Sequence, residues 1–130
     1  MSQERVETVR NAFLAMGQGP DAMLPFVDER FEMVTPSALA AEADTYRGHD
    51  GIRRWFDSFY EAVDEIRIEP GRVEPAGDRV AAEFKMTTRG RTTGLEASLE
   101  AVALAEVAAG KLTRLTFYPT LEEAVAAVDD

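Results

Sequence analysis

The sequence predicts an α+β fold in which a mostly antiparallel sheet packs against helices. Apolar residues recur at helical spacing over residues 6–16 and again over residues 52–63. From about residue 65 the apolar period changes to two, which is typical of strands. A capping box from Thr120 to Glu123 then opens a final helix. Helices followed by a long antiparallel meander indicate the α+β class, and we expect the helices to lie on one face of the sheet.

Composition restricts the classes of function. The 130 residues, 45% of them apolar, predict a single globular domain over residues 1–130. The formal net charge of −10 argues against a nucleic-acid partner, because phosphate binding is driven largely by Lys and Arg. No run approaches the ~20 apolar residues of a membrane span, and no basic amphipathic helix suggests a membrane surface. We therefore expect a cytoplasmic protein with no membrane partner.

Metal and thiol chemistry are also disfavoured. The chain has no cysteine, which excludes disulfides, a thiol nucleophile and zinc–cysteine sites. Its single histidine, among scattered carboxylates, lacks the spacing of metal ligands. We expect no metal and no cofactor.

The N-terminal half is predicted to contain three helices and one strand. The first helix carries Val9 and Phe13 and ends at the GQGPD segment, residues 17–21. A short helix over residues 21–27 and a strand over residues 30–36 follow. Residues 37–48 are predicted to be an irregular loop with Tyr46 pointing inward.

The third helix, from about Asp50 to Glu65, has the strongest amphipathic pattern of the chain. Its apolar stripe consists of Ile52, Trp55, Phe56, Phe59, Tyr60 and Val63. Strands are predicted after it over residues 65–70, 79–90, 95–107 and 111–119. The final helix is predicted to place Leu121, Ala124, Val125 and Val128 on one face.

Three phrases give the chain a resemblance to a known family. They are YRGHDGIRRWF (46–56), TRGRTTG (88–94) and GKLTRLTFYPTLEEAV (110–125). In this order and spacing they resemble a SnoaL-like domain of the nuclear transport factor 2-like superfamily, which includes ketosteroid isomerases, polyketide cyclases and limonene epoxide hydrolases. The resemblance implies a curved sheet wrapped around the N-terminal helices, forming a cone with an apolar cavity. It also implies a homodimer through the outer sheet face, to which Arg114, Tyr118, Ala101, Ala103 and Ala105 are assigned.

The polar groups of the ketosteroid isomerases are missing at the positions that match. Phe13 stands at the expected phenol, Thr35 at the expected general base, Phe56 at a second tyrosine and Val102 at the expected carboxylic acid. We find no Asp-Arg-Asp set of the epoxide-hydrolase kind. A cyclase would use a cavity carboxylate as a base, and no aspartate lies between Asp78 and Asp129. Whether the protein is an enzyme is therefore left open.

Two other residues are candidate catalytic groups. Side chains alternate between the two faces of a strand. If Val102 faces the cavity, Ser98 and Glu100 face it too, and burial would raise the pKa of Glu100 towards the range useful for a general acid or base. The alternative is that the parity is reversed or that Glu100 is exposed. His49 beside Asp50 is a candidate base, although an i,i+1 pair on a helix does not normally converge. The alternative is that His49 and Asp50 only mark the start of a helix.

The sequence thus leaves two classes of function. One is a small-molecule-binding protein, or a dimerisation module without catalysis; the other is an isomerase, cyclase or epoxide hydrolase acting on a small apolar or polycyclic substrate. Except for a module that only dimerises, we expect a small apolar ligand in the cavity. The predicted lining is Phe13, Thr35, Tyr46, Trp55, Phe56, Phe59, Phe84, Met86, Val102, Leu115 and Phe117.

Overall fold

The computed structural model describes residues 2–35, 44–61 and 63–128. These residues form four α-helices, one short 3-10 helix and six strands. In chain order they are α1 (Ser2–Met16), α2 (Pro20–Met23), the 3-10 helix (Leu24–Phe26), β1 (Val27–Thr35), β2 (Asp44–Arg47), α3 (Gly48–Tyr60), β3 (Val63–Ala76), β4 (Arg79–Gly90), β5 (Glu96–Ala108), β6 (Lys111–Tyr118) and α4 (Leu121–Val128). The α+β class is confirmed.

The strands form one curved, unclosed sheet in the order β2-β1-β6-β5-β4-β3. All neighbouring strands are antiparallel except β1 and β6, which run parallel. The parallel pair arises because β1 precedes the meander and joins its far edge. The sheet is therefore mixed, although the long meander β3-β4-β5-β6 predicted from the period of two is present.

The main core lies between one face of the sheet, here called the inner face, and helices α1 and α3. Helix α1 contributes Val9, Ala12, Phe13 and Met16, and α3 contributes Ile52, Trp55 and Phe56, all of them buried. In both helices the buried residues belong to the apolar face, as is typical of a helix that covers a sheet with one side. No described helix has the length and apolar content needed to cross a membrane.

Helix α4 packs on the opposite, outer face of the sheet. Ala124 is fully buried there, in a second cluster that includes Ala81, Val102 and Leu104. The expectation that the helices share one face is therefore wrong, because β4 and β5 present apolar side chains on both faces. Val125 was predicted to join the buried stripe but is 41% exposed. Thr120 caps the helix as predicted, since its hydroxyl accepts the Glu123 N–H at 3.2 Å.

Several element boundaries differ from the prediction. Part of the predicted loop over residues 37–48 is the short strand β2, whereas residues 36–43 lie outside the described part of the chain. Helix α3 ends at Tyr60, and the residues expected to continue it begin β3. Strand β3 then runs through Pro70, Gly71 and Pro75. It can do so because it is an edge strand, where a proline removes no ladder hydrogen bond, and because its register shifts between Pro70 and Val73.

The facing of β5 was predicted the wrong way round. Phe84 pairs with Ala101 and Ala82 with Ala103, so Ala101, Ala103 and Ala105 face inward with β4. The physical cause is a bulge in β6 at Thr113, where the register of β5 and β6 shifts. The Thr113 hydroxyl donates to the Glu106 carbonyl at 3.1 Å, so this side chain serves the bulge and not the inner face.

Candidate ligand-binding site

The centre of the inner face is a row of three phenylalanines. Helix α1 places Phe13 over β4, with its ring centroid 5.3 Å from that of Phe84. Phe84 is in turn 5.7 Å from Phe117 of β6, in an edge-on arrangement. Such tilted and edge-on pairs are the favoured geometries of aromatic rings and add to the burial of their area. The row joins a helix and two strands and makes the middle of the interior aromatic.

The aromatic stripe of α3 belongs to the same core cluster. Trp55 lies 4.9 Å from both Phe56 and Phe59, measured between ring centroids. Phe56 and Tyr60 are stacked at 6.3 Å. Trp55 and Phe56 are buried, whereas Phe59 and Tyr60 are only partly buried. The stripe therefore runs from the closed part of the core towards solvent at the C-terminal end of α3.

The turn from β2 into α3 sets the position of Tyr46. Its side chain is buried, and the guanidinium of Arg54 lies 4.3 Å from the centre of its ring, in cation–π contact. Gly48 takes a positive φ of 67°, which a larger residue adopts only with strain. A Cβ on Gly51 would lie 2.8 Å from the Tyr46 carbonyl carbon. The two glycines of this segment thus permit a tight turn that brings α3 against Tyr46.

His49 occupies the first turn of α3 and is half-buried. Its Nε2 lies 2.9 Å from the carbonyl oxygen of Val27. A carbonyl can only accept, so Nε2 carries the proton and donates it. Asp50 points to solvent and pairs with Arg53 at 3.5 Å. In this arrangement His49 ties α3 to β1, while Asp50 is occupied elsewhere.

Two predicted site residues of β5 lie on the outer face. Val102 pairs with Glu83 of β4 and packs in the cluster beneath α4. Glu100 pairs with Lys85 and is exposed. The interpretation that Val102 and Glu100 face the interior is therefore wrong, for the bulge described above reverses the parity of β5. The inward neighbours are alanines, so the matched position still offers no carboxylic acid.

The remaining predicted lining residues divide into two groups. Met86 and Leu115 are buried on the inner face as expected, and Phe117 is half-buried there. Thr35 ends β1 opposite Asp44, and its side chain lies outside what the structure describes.

Partly exposed apolar side chains border this interior. Five of those that pack against the inner core are here called the rim residues: Phe59 and Tyr60 at the end of α3, Val63 at the start of β3, Leu99 of β5 and Phe117 of β6. Tyr60, Val63 and Leu99 were absent from the predicted lining, although Tyr60 and Val63 belonged to the predicted stripe of α3. Leu99 pairs with Met86 across β4 and β5 and therefore lies on the same face. A hairpin with the four connecting residues 91–94 would have predicted this pairing.

Charged groups concentrate outside the interior. A surface hollow of about 370 Å³ lies on the outer face between α4 and the strands, and Glu69, Glu83, Glu100 and Lys85 are among its lining residues. Arg89 donates to Asp64 at 3.0 Å, and this hydrogen bond and the negative charge beside it raise the pKa of Arg89 above its ordinary value. Within the described part of the chain, no group of three or more acidic, His or Cys side chains is arranged to hold a metal ion.

The fold and the apolar interior can now be compared with known proteins. Residues 9–115 match the family model of the SnoaL-like domain. The match covers most of the chain, and the protein therefore belongs to the SnoaL-like domain family of the nuclear transport factor 2-like superfamily. No curated protein gives a significant match to the sequence.

Solved structures share the fold at low sequence identity. TerC, crystallised with polyporic acid, is 19% identical with a TM-score of 0.77, over 95% of this chain and 98% of that one. A candidate polyketide cyclase from Xanthomonas campestris pv. campestris is 23% identical, with a TM-score of 0.72 over 98% of both chains. A protein of ketosteroid isomerase-like fold from Catenulispora acidiphila, in complex with trimethylamine, is 17% identical, with a TM-score of 0.71 over 97% of this chain and 92% of that one.

Proposed function

We propose that this protein binds a small apolar molecule between α3 and the inner face of the sheet. The observation that carries the proposal is the set of rim residues. All five are apolar or aromatic, all are partly exposed, and all pack against the buried inner core. Partly exposed aromatic groups at the end of an apolar interior are the common lining of small-molecule sites. TerC and the Catenulispora protein, which share the fold, were crystallised with small molecules.

The chemistry of the described interior supports binding more than proton transfer. Phe13, Phe56 and the inward alanines of β5 occupy positions where an isomerase would place hydrogen-bonding groups. Proton transfer needs a positioned acid or base within hydrogen-bond reach of the substrate. The Nε2 proton of His49 is already donated to Val27, and Glu100 faces away. An enzyme using the same interior, of isomerase, cyclase or epoxide-hydrolase type, is the alternative.

A matched pair of variants on β6 tests the site. Phe117 and Tyr118 are adjacent, both half-buried, and face opposite sides of the sheet. We expect Phe117→Ala to weaken binding of the neutral apolar dye N-phenyl-1-naphthylamine about tenfold, because roughly 1–2 kcal/mol of aromatic contact is lost. Tyr118→Ala should leave the dissociation constant unchanged. Fluorescence titration measures both.

The two variants also separate binding from stability. Each removes one aromatic ring, so urea denaturation should show a comparable loss of unfolding free energy for both. Equal dye affinity in the two variants, or stronger loss with Tyr118→Ala, would mean that the dye binds elsewhere and would overturn the proposed site.

We also propose that the chain forms a homodimer through the part of the outer face that α4 leaves open. Thr116 lies there, partly exposed, beside Val34 and Arg114, whereas Tyr118 shares this face but packs against the cluster beneath α4. The alanines of β5 that were assigned to this surface face inward and take no part. A mixed apolar and polar patch on a sheet face suits an interface between two copies.

A further inference from the structure

Entry to the proposed site requires one wall of the interior to move. Aromatic rings of the core are already in contact with their neighbours, at centroid distances of 4.9 to 5.7 Å. Interiors packed in this way have few voids larger than a water molecule, so a ligand would enter by displacing part of the packing. The last turn of α3 carries two of the rim side chains, Phe59 and Tyr60, and each of them touches a buried aromatic neighbour. Displacement of this turn would uncover Trp55 and Phe56.

One side chain from the sheet holds that turn in place. Arg91, in the hairpin between β4 and β5, donates from Nε to the Tyr60 carbonyl at 3.1 Å and from Nη2 to the same oxygen. Nη2 also donates to the Val63 carbonyl at 3.2 Å. The final carbonyls of a helix have no partner within the helix, and a cation at that end is favoured by the helix dipole. The guanidinium thus ties the end of α3 to the sheet.

The hairpin that presents Arg91 is itself firmly closed. The Gly90 N–H donates to the Leu95 carbonyl and the Gly94 N–H to the Gly90 carbonyl, both at 2.9 Å. The Thr93 hydroxyl accepts the Leu95 N–H at 3.2 Å. The hairpin is stabilised by its own hydrogen bonds. In the contact between Arg91 and α3, the last turn of α3 is therefore the part that moves more readily. Terminal helix turns are also where local opening is least costly.

We propose that Arg91 is the latch of the ligand site: its guanidinium holds the last turn of α3 against the sheet, and its release opens the apolar interior. This inference rests on the proposed function for its biological meaning, but the latch itself is a property of the free protein. Arg91 is exposed, so water competes for its hydrogen bonds and release is frequent on the scale of global unfolding.

Hydrogen exchange of the ligand-free protein tests the latch. Trp55 is the only tryptophan, so its indole N–H gives a single signal in an NMR spectrum. We expect Arg91→Gln to accelerate exchange of this indole and of the Glu61 amide about tenfold, the change expected when charge-assisted hydrogen bonds are lost. Arg91→Lys keeps the charge without the forked geometry and should give an intermediate rate.

Arg89→Gln is the matched control. Arg89 is an exposed arginine two residues earlier whose partner is Asp64, so its replacement removes the same charge without touching α3. Exchange in Arg89→Gln should match the unsubstituted protein. Equal rates in the Arg91 and Arg89 variants would overturn the latch. Acceleration of the Glu61 amide alone would also overturn it, because the turn would then fray without opening the interior.

Ligand uptake gives a second and separable readout. In stopped-flow mixing with N-phenyl-1-naphthylamine, Arg91→Gln should bind faster than Arg89→Gln, since the open form is more populated. Equal association rates would overturn the role of Arg91 in entry. A failure of the dye to bind any of these variants would instead count against the proposed site, while the exchange rates would still decide the latch.

Discussion

At the β2–α3 turn, the hydrogen atom that Gly51 carries in place of a side chain decides how closely the helix approaches. Its missing Cβ would stand 2.8 Å from one backbone atom of Tyr46 and 3.3 Å from two further atoms of that residue. Backbone atoms cannot turn away from such a contact as a flexible side chain can. The approach in turn positions Tyr46 beneath Arg54 and starts α3 at the correct angle to the sheet.

We therefore expect Gly51→Ala to lower the free energy of unfolding by about 1–3 kcal/mol, because overpacking against a backbone outweighs the better helix propensity of alanine. Gly71→Ala is the control, since its Cβ would meet Glu83 at an ordinary 3.6 Å. Urea denaturation of both variants measures the difference. Comparable stability of the two would show that the turn can relax.

His49 illustrates why a residue type alone is a weak guide to function. Its sequence neighbour Asp50 suggested a catalytic pair, yet the structure directs the two side chains to different partners, Val27 and Arg53. The first turn of a helix fans consecutive side chains apart by about 100°. The adjacent positions of His49 and Asp50 already indicated that their side chains diverge. That His49 contacts Val27 of β1 could be known only from the fold.

At the scale of elements, α4 docks on the outer face with the small residue Ala124 at the centre of its contact and Leu121, Ala127 and Val128 packed around the same cluster. Ala124 is fully buried against the outer face, while Ala126 of the same helix is exposed. The helix has eight residues, too few to be stable in isolation, so docking is what keeps it folded.

Ala124→Asp should undock α4, because a carboxylate would be buried without a partner at a cost of several kcal/mol or else expel the helix. We expect the amides of α4 to lose protection in hydrogen exchange and the melting temperature to fall by several degrees. Ala126→Asp, with the same change of charge on the exposed face, should behave as the unsubstituted protein. Protected α4 amides in Ala124→Asp would contradict this view of the docking.

Strand β3 shows what periodicity cannot reveal about an element. The prediction ended this strand at Pro70, since proline and glycine usually interrupt a ladder. The strand continues to Ala76 because no strand in the described part of the chain pairs with its second edge, and the register shifts between Pro70 and Val73. Edge position is a property of the sheet order, which the local sequence does not encode.

At the scale of the whole molecule, the proposed dimer has a direct test. Sedimentation equilibrium should give twice the 14.3 kDa of one chain. Thr116→Arg, on the open outer face, should shift the protein towards monomer, because each interface would then carry two apposed positive charges. Thr92→Arg, in the exposed β4–β5 hairpin, adds the same charge away from that face and should leave the mass unchanged. A monomeric unsubstituted protein would refute the dimer.

Much of the fold could be predicted from local patterns. The stripes of α1 and α3, the strands β4 and β6, and the cap at Thr120 each follow from the period or spacing of nearby residues. The aromatic interior followed from those stripes once the family was recognised. In the structure Phe84 contacts both Phe13 and Phe117.

The error about Val102 and Glu100 came from one feature, the register shift between β5 and β6. The bulge at Thr113 changed which residues of β5 face Phe117, and so moved Glu100 and Val102 to the outer face. Because side chains alternate along a strand, a shift of one residue exchanges the two faces completely.

By itself, the sequence determined the α+β class, the family and the apolar, aromatic character of the interior. These properties follow from residue types and their local period, which are set before the chain folds. Only the tertiary structure decided which face Glu100 occupies, where α4 docks and how Arg91 reaches the end of α3. Each of these depends on strand register or on contacts between residues distant in the chain, where one bulge or one free sheet edge changes the outcome.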